Sequence, residues 1–209
     1  MEKPNRRERE KIARKNDIMT AACQVFAQKG YYRATLDEIA EKAEFSKATI
    51  YAYFKNKADL FFRLIIDGLS ELTQLVENTM KDKTDFKTLL KNIVHEIFDY
   101  LDKNRDFFTL LYEQRIELHR EISSIENNGS YEEEFQSTAQ KLDDSFERLF
   151  QKAAENKQID GNIPPRLLTS IMLGSIFGII RVWLERMPHE PLADKTDIII
   201  KVFWEGAGV

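Results

Sequence analysis

The chain has 209 residues, of which 43% are hydrophobic and 32% charged, a balance that excludes disordered and fibrous proteins and is typical of a soluble globular one. The single cysteine, Cys23, excludes an internal disulfide and favours a reducing compartment. The charged first 15 residues lack the apolar run of a secretory signal, and the longest apolar stretch, 171–184, is too short to span a bilayer. We therefore expect a cytoplasmic protein with no membrane partner.

The net charge of −4 is unevenly distributed along the chain. Residues 1–60 contain 13 Lys and Arg against 9 Asp and Glu, a net charge of +4. Residues 61–209 contain 18 against 26, a net charge of −8. A basic N-terminal segment followed by an acidic remainder fits a DNA-binding domain joined to a second domain that stays off the duplex.

The first predicted elements are a basic arm and an amphipathic helix. Residues 1–11 are expected to form a flexible arm, which is either a solvated tail or a DNA contact through its three arginines. The helix that follows is predicted to run to about Lys29, and Gly30 is expected to end it in a left-handed conformation.

Residues 35–59 predict two short helices joined by a tight turn. Thr35, followed three residues later by Glu38, is typical of a capping box at the start of the first helix. Ser46 is placed to cap the second, which carries cationic and hydroxyl side chains, and a long third helix begins near Lys57. Two short helices with a polar second member are typical of a DNA-binding helix-turn-helix.

The segment from about residue 12 to residue 60 resembles the DNA-binding domain of the TetR family of one-component transcriptional regulators. The resemblance rests on TLDEIA, SKATIYAYF and KNKADL, which begin at Thr35, Ser46 and Lys55, together with the first helix and Gly30. It covers about a quarter of the chain. It implies an all-α DNA-binding protein with an effector pocket in its central helices.

The rest of the chain has a helical pattern, with no convincing strand, repeat or low-complexity tract. Predicted helices cover residues 57–80, 85–104, 105–122, 131–158, 165–187 and 194–206. We expect an all-α fold of about nine helices. Its N-terminal three-helix helix-turn-helix domain (1–56) is joined by a long helix to a larger effector-binding and dimerisation domain (57–209).

The resemblance also implies which side chains meet DNA. Thr35 and Ser46 are expected to contact phosphates, and four residues of the second short helix are expected to face the major groove. Those four are Lys47, Ala48, Thr49 and Tyr51. Tyr53 and Lys57 are expected to clamp the DNA backbone, while both tyrosines have the alternative of packing partly beside Phe54.

Two residues depart from the family pattern. Glu44 stands where a glycine commonly closes the turn, and a left-handed backbone there costs about 1 kcal/mol relative to glycine. Ala48 stands where many relatives have glycine, and it adds a methyl group at a close approach to DNA. The operator sequence is therefore not predicted by the resemblance.

The last two helices carry the candidate dimer interface. A short recognition helix reads few base pairs, so a two-fold dimer on a palindrome is expected. Small residues four apart suggest a close approach between helices, either across a dimer interface or inside one subunit. The candidate interface residues are Ser170, Gly174, Gly178, Trp183, Val202 and Phe203.

An effector pocket is the least specific prediction, because aromatic stripes usually form plain core. The expected ligand is an apolar or aromatic small molecule such as a drug, a lipid-derived molecule or an acyl compound. The candidate lining residues are Phe98, Leu111, Tyr112, Arg115, Phe146 and Phe177, with His119 as a second polar anchor.

These features predict a dimeric repressor that a small ligand releases from a palindromic operator, with no cofactor and no metal. The alternative is a ligand-independent DNA-binding or adaptor protein with a fully packed body. An enzyme is not expected, because the three histidines are scattered and no metal or nucleotide motif is present.

Overall fold

The structure, a computed structural model, describes residues 5–109, 129–187 and 189–207. The fold is all-α, as the sequence predicts, and no strand occurs within the described ranges. Residues 105–109 are also helical. The helices are α1 (Arg6–Arg33), α2 (Leu36–Lys42), α3 (Lys47–Tyr51), α4 (Lys57–Thr79), α5 (Phe86–Lys103), α6 (Gly129–Glu155), α7 (Pro165–Arg186), a 3-10 helix (Leu192–Lys195) and α8 (Thr196–Ala207).

The start of α1 differs from the prediction of a flexible arm up to residue 11. Asn5 caps the helix, with its side chain accepting from the backbone of Glu8 and the Glu8 carboxylate accepting from the backbone of Asn5. Arg6 and Glu10, one turn apart, form an ion pair at 2.9 Å. This second capping box begins the helix six residues earlier than the apolar pattern alone predicts.

Gly30 interrupts α1 with a φ of 73° and a ψ of 161°. The predicted positive φ is confirmed, but the ψ lies outside the left-handed helical region and in a region that essentially only glycine occupies. The helix proper therefore ends at Lys29, as predicted, and residues 31–33 form a further turn before Thr35.

Backbone contacts divide the chain into two compact units. The first contains residues 1–68 and 106–132, and the second contains residues 69–105 and 133–209. Helices α4 and α6 therefore each contribute residues to both units. The functional boundary after residue 56 stays a prediction.

The core of the first unit is an aromatic cluster between α1 and α4. The ring of Phe61 lies 5.3 Å from that of Phe26 and 4.7 Å from that of Tyr31. Further along α4, Gly68 lies against the ring of Phe107, so closely that any Cβ at position 68 would collide with it. This contact explains a glycine inside a helix, where it costs about 1 kcal/mol relative to alanine.

The core of the second unit joins α5, α6, α7 and α8. The ring of Phe150 lies 6.1 Å from that of Phe86 and 5.5 Å from that of Phe203. Among the described residues, α7 is the one helix long and apolar enough to cross a membrane by length and composition. Its inner side is buried in this unit.

Candidate nucleic-acid interface

Helix α3 has only five residues, and two apolar side chains hold it in place. Ile50 is fully buried and Phe54 is 2% exposed, so both anchor α3 to the core of the first unit. At its start, the Ser46 hydroxyl accepts from the backbone N–H of Thr49 at 3.1 Å, and the two hydroxyls lie 2.9 Å apart. A capped and anchored short helix presents its other side to the outside.

The outer side of α3 carries most of the predicted DNA contacts. Lys47 and Ala48 are exposed, and 52% of Tyr51 is exposed, so Tyr51 does not pack into the core. Thr49 and Tyr53 are half-buried, and the Tyr53 ring lies 6.5 Å from that of Phe54. The alternative of partial core packing therefore applies to Tyr53 more than to Tyr51.

Thr35 begins α2 with the predicted capping box. Its hydroxyl accepts from the N–H of Glu38 at 3.3 Å, while its own N–H donates to the Glu38 carboxylate at 3.0 Å. Lys29 donates to the other Glu38 oxygen at 2.6 Å, and this hydrogen bond with those from Thr35 lowers the pKa of Glu38. The Thr35 hydroxyl keeps its own proton to donate outward, and the residue is exposed.

The turn between α2 and α3 requires a positive φ at Glu44. The φ of Glu44 is 57°, the left-handed value whose cost was considered from the sequence, and the N–H of Phe45 donates to the carbonyl of Ala40 at 2.9 Å, which closes α2. Lys157 has the same φ at the end of α6, where the N–H of Gln158 donates to the carbonyl of Ala153 at 2.8 Å. Two helices therefore end in the same strained conformation without a glycine.

We expect Glu44→Gly to raise the free energy of unfolding by about 1 kcal/mol, since glycine has no penalty for this φ. It also removes a carboxylate beside the recognition helix, so DNA affinity should rise. Lys157→Gly is the matched control, because it relieves the same φ far along the chain and should stabilise without tightening DNA binding. Urea unfolding and DNA titration measure both effects. Equal DNA affinities for Glu44→Gly and the parent would contradict the expected repulsion.

Lys47, the lysine of α3, forms an ion pair with a residue of α2. Lys47 Nζ lies 2.9 Å from an oxygen of Asp37, in the first turn of α2. The hydrogen bond and the charge of Asp37 raise the pKa of Lys47. The sequence offered no signal for this pair, because its members lie ten positions apart on different helices. Asp37 holds the lysine in place and would compete with DNA for it if Lys47 makes the expected contact.

We expect Asp37→Asn to increase DNA affinity about two- to fivefold, the range typical of one exposed ion pair. The first reason is that Lys47 no longer has to break its ion pair with Asp37 before it contacts DNA. The second is that a negative charge near the duplex is lost. Titrations at rising salt check this, since the gain should shrink as exposed charges are screened. A loss of affinity would mean that Asp37 instead positions Lys47 for DNA.

Lys57, the expected phosphate clamp, has three backbone partners within the first unit. Its ammonium donates to the carbonyls of Tyr31, Tyr32 and Ala34 at 2.8, 3.2 and 3.0 Å. These bonds use all three N–H donors of the ammonium. They tie the end of α1 to the start of α4, which supports a bracing role for Lys57 more directly than a phosphate contact.

The structure separates the predicted effector-lining residues. Phe98 and Phe146 are fully buried in the second unit, whereas 62% of Phe177 is exposed. Phe177 follows the buried Ile176, and one residue further along a helix turns the side chain about 100° away, so it lies on the outer face of α7. The other predicted lining positions fall outside the described residues: Leu111, Tyr112, Arg115 and His119.

The predicted dimer residues divide into an outer and an inner group. Ser170, Gly174 and Gly178 lie on the exposed face of α7, and a Cβ added at either glycine would meet no described atom within 4 Å. Val202 of α8 is 68% exposed. Close packing against the described residues of the same subunit therefore does not explain these glycines.

Two of the predicted dimer residues are buried in their own subunit. Trp183 is 1% exposed, its ring nitrogen donates to the carbonyl of Glu190 at 2.7 Å, and the guanidinium of Arg105 lies 4.1 Å from its ring centre. Phe203 is 6% exposed and packs on Phe150. Their aromatic side chains belong to the inner faces of α7 and α8, and the sequence pattern did not separate these faces.

Cys23 is half-buried in α1. Burial raises the pKa of its thiol to about 12, and the nearby Asp106 carboxylate adds to the increase. A thiol with this pKa has almost no reactive thiolate at neutral pH. Within the described ranges, no group of three His, Cys, Asp or Glu side chains is close enough together to hold a metal ion.

Comparisons with known proteins agree with the geometry of the first unit. Residues 18–64 match the family model for bacterial regulatory proteins of the tetR family. An uncharacterized HTH-type transcriptional regulator of Bacillus subtilis, YhgD, is 28% identical over 188 residues, which cover 88% of this chain and 91% of that protein. The fatty acid metabolism regulator protein of Bacillus subtilis is 31% identical over 112 residues, or 52% of this chain and 58% of that protein.

Other curated relatives align over about 100 residues, so this chain covers about half of their length. Among solved structures, the transcriptional regulator FadR from Bacillus subtilis in complex with stearoyl-CoA superposes with a TM-score of 0.77. The superposition covers 91% of this chain and 98% of that chain at 19% sequence identity. A likeness at this level of identity shows a shared fold.

Proposed function

We propose that this chain, whose residues 18–64 match the model of the tetR family of bacterial regulatory proteins, is a cytoplasmic, dimeric repressor of transcription. It binds a palindromic operator, and a small apolar ligand releases it. The observation that carries the proposal is the outer side of α3, where Lys47, Ala48 and Tyr51 project from a helix anchored by Ile50 and Phe54. Such a helix enters the major groove and reads base edges through its first residues.

The proposed DNA contacts comprise side chains on α3 that contact base edges and hydroxyl groups that contact phosphates. Lys47 supplies a cation for guanine acceptors or a phosphate, and the exposed ring of Tyr51 supplies an apolar surface for a thymine methyl. The hydroxyls of Thr35 and Ser46 lie at helix N-termini, where phosphates are commonly bound. The half-buried Tyr53, just after α3, supplies a third hydroxyl for a phosphate. Lys57 contributes indirectly, because it ties the end of α1 to the start of α4.

Exposed apolar residues on the outer faces of α7 and α8 support the proposed homodimer. Ile171, Phe177, Ile198 and Val202 are each more than half exposed. Beside them a groove of about 430 Å³ is lined by Gly178, Ile199 and other apolar residues of α7 and α8. A second copy of the chain would cover this surface and offer its own small-residue strip, as an isologous interface requires.

The proposed effector is a long-chain acyl compound. This proposal narrows the class of apolar ligands that the sequence analysis expected. The observation that supports it is the stearoyl-CoA bound by the structurally similar FadR. The buried rings of Phe98 and Phe146 in the second unit are the described candidates to contact an acyl chain. Thr169, buried in the same unit, has a hydroxyl with no hydrogen-bond partner among the described residues. A polar atom of a ligand would satisfy such a group.

Release follows if the ligand favours a dimer whose two recognition helices no longer match the operator. Half-sites lie about 34 to 36 Å apart on B-DNA, so a small change in the spacing of the recognition helices disengages one of them. The ligand must bind the mismatched state more tightly, because a ligand with equal affinity for both states shifts nothing.

Selection of fragments of the source genome by the purified protein tests the DNA-binding part. We expect enrichment of an inverted repeat, protected as a dimer footprint, and weaker binding by Tyr51→Ala and Tyr53→Ala. If no sequence is enriched over bulk DNA, the proposed function is wrong.

Titration of the operator complex with stearoyl-CoA tests the effector, with free CoA as the control for its headgroup. Release by stearoyl-CoA alone supports an acyl ligand. The alternative is a ligand-independent regulator, which the complete burial of Phe98 and Phe146 also fits. An operator complex that neither compound releases, and a protein that binds neither, would favour this alternative over an acyl effector.

A further inference from the structure

Asp59, in the first turn of α4, organises the turn that follows the recognition helix. It is 8% exposed, and one carboxylate oxygen accepts from the backbone N–H of Lys55 at 2.7 Å. Its own N–H donates to the side chain of Asn56 at 2.8 Å. Residues 52–56 connect α3 to α4, so this carboxylate fixes the backbone that leaves α3.

The second oxygen of Asp59 has a partner from a distant part of the sequence. The hydroxyl of Tyr131, in the first turn of α6, donates to it at 2.7 Å. The Tyr131 ring stacks on that of Phe62 at 5.3 Å with an interplanar angle of 17°, and the guanidinium of Arg63 lies 5.5 Å from its centre. Stacking orients the ring, and the part-buried carboxylate makes its hydrogen bond a charge-assisted one.

Helix α6 connects this contact to the second unit through its own length. Residues 129–132 belong to the first unit, and residues 133–155 belong to the second. There, Phe146 and Phe150 are fully buried, and Ser145 and Arg148 lie within hydrogen-bonding distance of Glu77. These residues and Tyr131 therefore lie on one continuous helix, and a rigid helix can couple its two ends.

We infer that the hydrogen bond from Tyr131 to Asp59 is the contact through which α6 positions the recognition helix. Tyr131 and Asp59 are positioning residues for DNA binding, although both lie outside α2 and α3. With the bond intact, Asp59 holds the 52–56 turn, and α3 keeps the orientation that reads DNA. When the first turn of α6 moves, Asp59 loses a partner and the turn loosens. The consequence for DNA rests on the proposed function.

Tyr131→Phe tests the inference, because it removes one hydroxyl and keeps the ring that stacks on Phe62. Tyr100→Phe is the matched control, since the Tyr100 hydroxyl also donates to an acidic side chain, Glu71, at 3.1 Å. Both variants are made in the full chain. Three quantities are measured: amide hydrogen exchange at Lys55, the midpoint of urea unfolding, and the affinity for the selected operator.

For Tyr131→Phe we expect exchange at the Lys55 amide to rise about tenfold, as for the loss of one charge-assisted hydrogen bond, with operator affinity reduced about fivefold or more. Amides of α5 should not change, and Tyr100→Phe should resemble the parent in all three measurements. Asp59→Asn combined with Tyr131→Phe should lose no more affinity than Asp59→Asn alone, since the two residues act through one bond.

Unchanged exchange at Lys55 in Tyr131→Phe overturns the inference. Faster exchange with operator affinity equal to that of the parent also overturns it, because the bond is then structural and does not position α3. If the parent itself selects no DNA sequence, the proposed function fails, whereas the exchange measurement still decides whether Tyr131 orders the 52–56 turn.

Discussion

Gly178→Leu should convert the proposed dimer to a monomer. Within the part of the chain that the structure describes, a Cβ at position 178 meets no atom within 4 Å, so the larger side chain fits against the described residues of one subunit. Leucine is also a better helix former than glycine by about 1 kcal/mol. In the dimer, the same side chain would hold α7 away from its partner. Light scattering should therefore give a mass of 24.5 kDa rather than twice that value.

Loss of the dimer should weaken operator binding at least about 100-fold, because two linked recognition helices bind far more tightly than one. Gly161→Leu is the control, since a Cβ at this exposed position also meets no atom within 4 Å and Gly161 lies in a turn outside α7. It should remain dimeric and bind the operator as the parent does. A dimeric Gly178→Leu variant with normal affinity would place the interface elsewhere.

Local signals in the sequence predicted the helix-turn-helix well. The Thr35 capping box, the Ser46 cap and the positive φ of Glu44 each depend on residues within five positions of one another. Short-range hydrogen bonds of this kind are encoded by residue type and spacing. The same reasoning explains the error at α1. Asn5 and Glu8 form a capping box of the same kind, but residues 1–11 were expected to form a flexible arm, so this signal was not used.

Contacts between distant residues were not predictable in the same way. The pairs Asp37 with Lys47 and Tyr131 with Asp59 join different helices, and no spacing rule connects their members. The two faces of α7 were also mixed in the prediction, because apolar residues such as Trp183 and Phe177 occur on both. An amphipathic pattern identifies a buried face only when the opposite face is polar.

Lys57→Met should lower the free energy of unfolding by about 2 to 3 kcal/mol. It keeps most of the aliphatic length of the side chain but removes the ammonium that binds the carbonyls of Tyr31, Tyr32 and Ala34. These carbonyls follow the kink at Gly30 and have a cation as their shared partner, so the end of α1 should loosen from α4. Urea unfolding of the variant and the parent measures the loss.

The salt dependence of DNA binding separates this bracing role from a phosphate clamp. A lysine that contacts a phosphate contributes about 0.9 to the slope of log affinity against log salt concentration. If Lys57 instead braces α1 against α4, it contributes to the free energy of unfolding and changes the slope of log affinity against log salt concentration only slightly. Lys55→Met, which removes the same charge from an exposed side chain in the 52–56 turn, should leave stability within about 0.5 kcal/mol of the parent. A Lys57→Met variant with normal stability and a slope reduced by about 0.9 would instead restore the clamp.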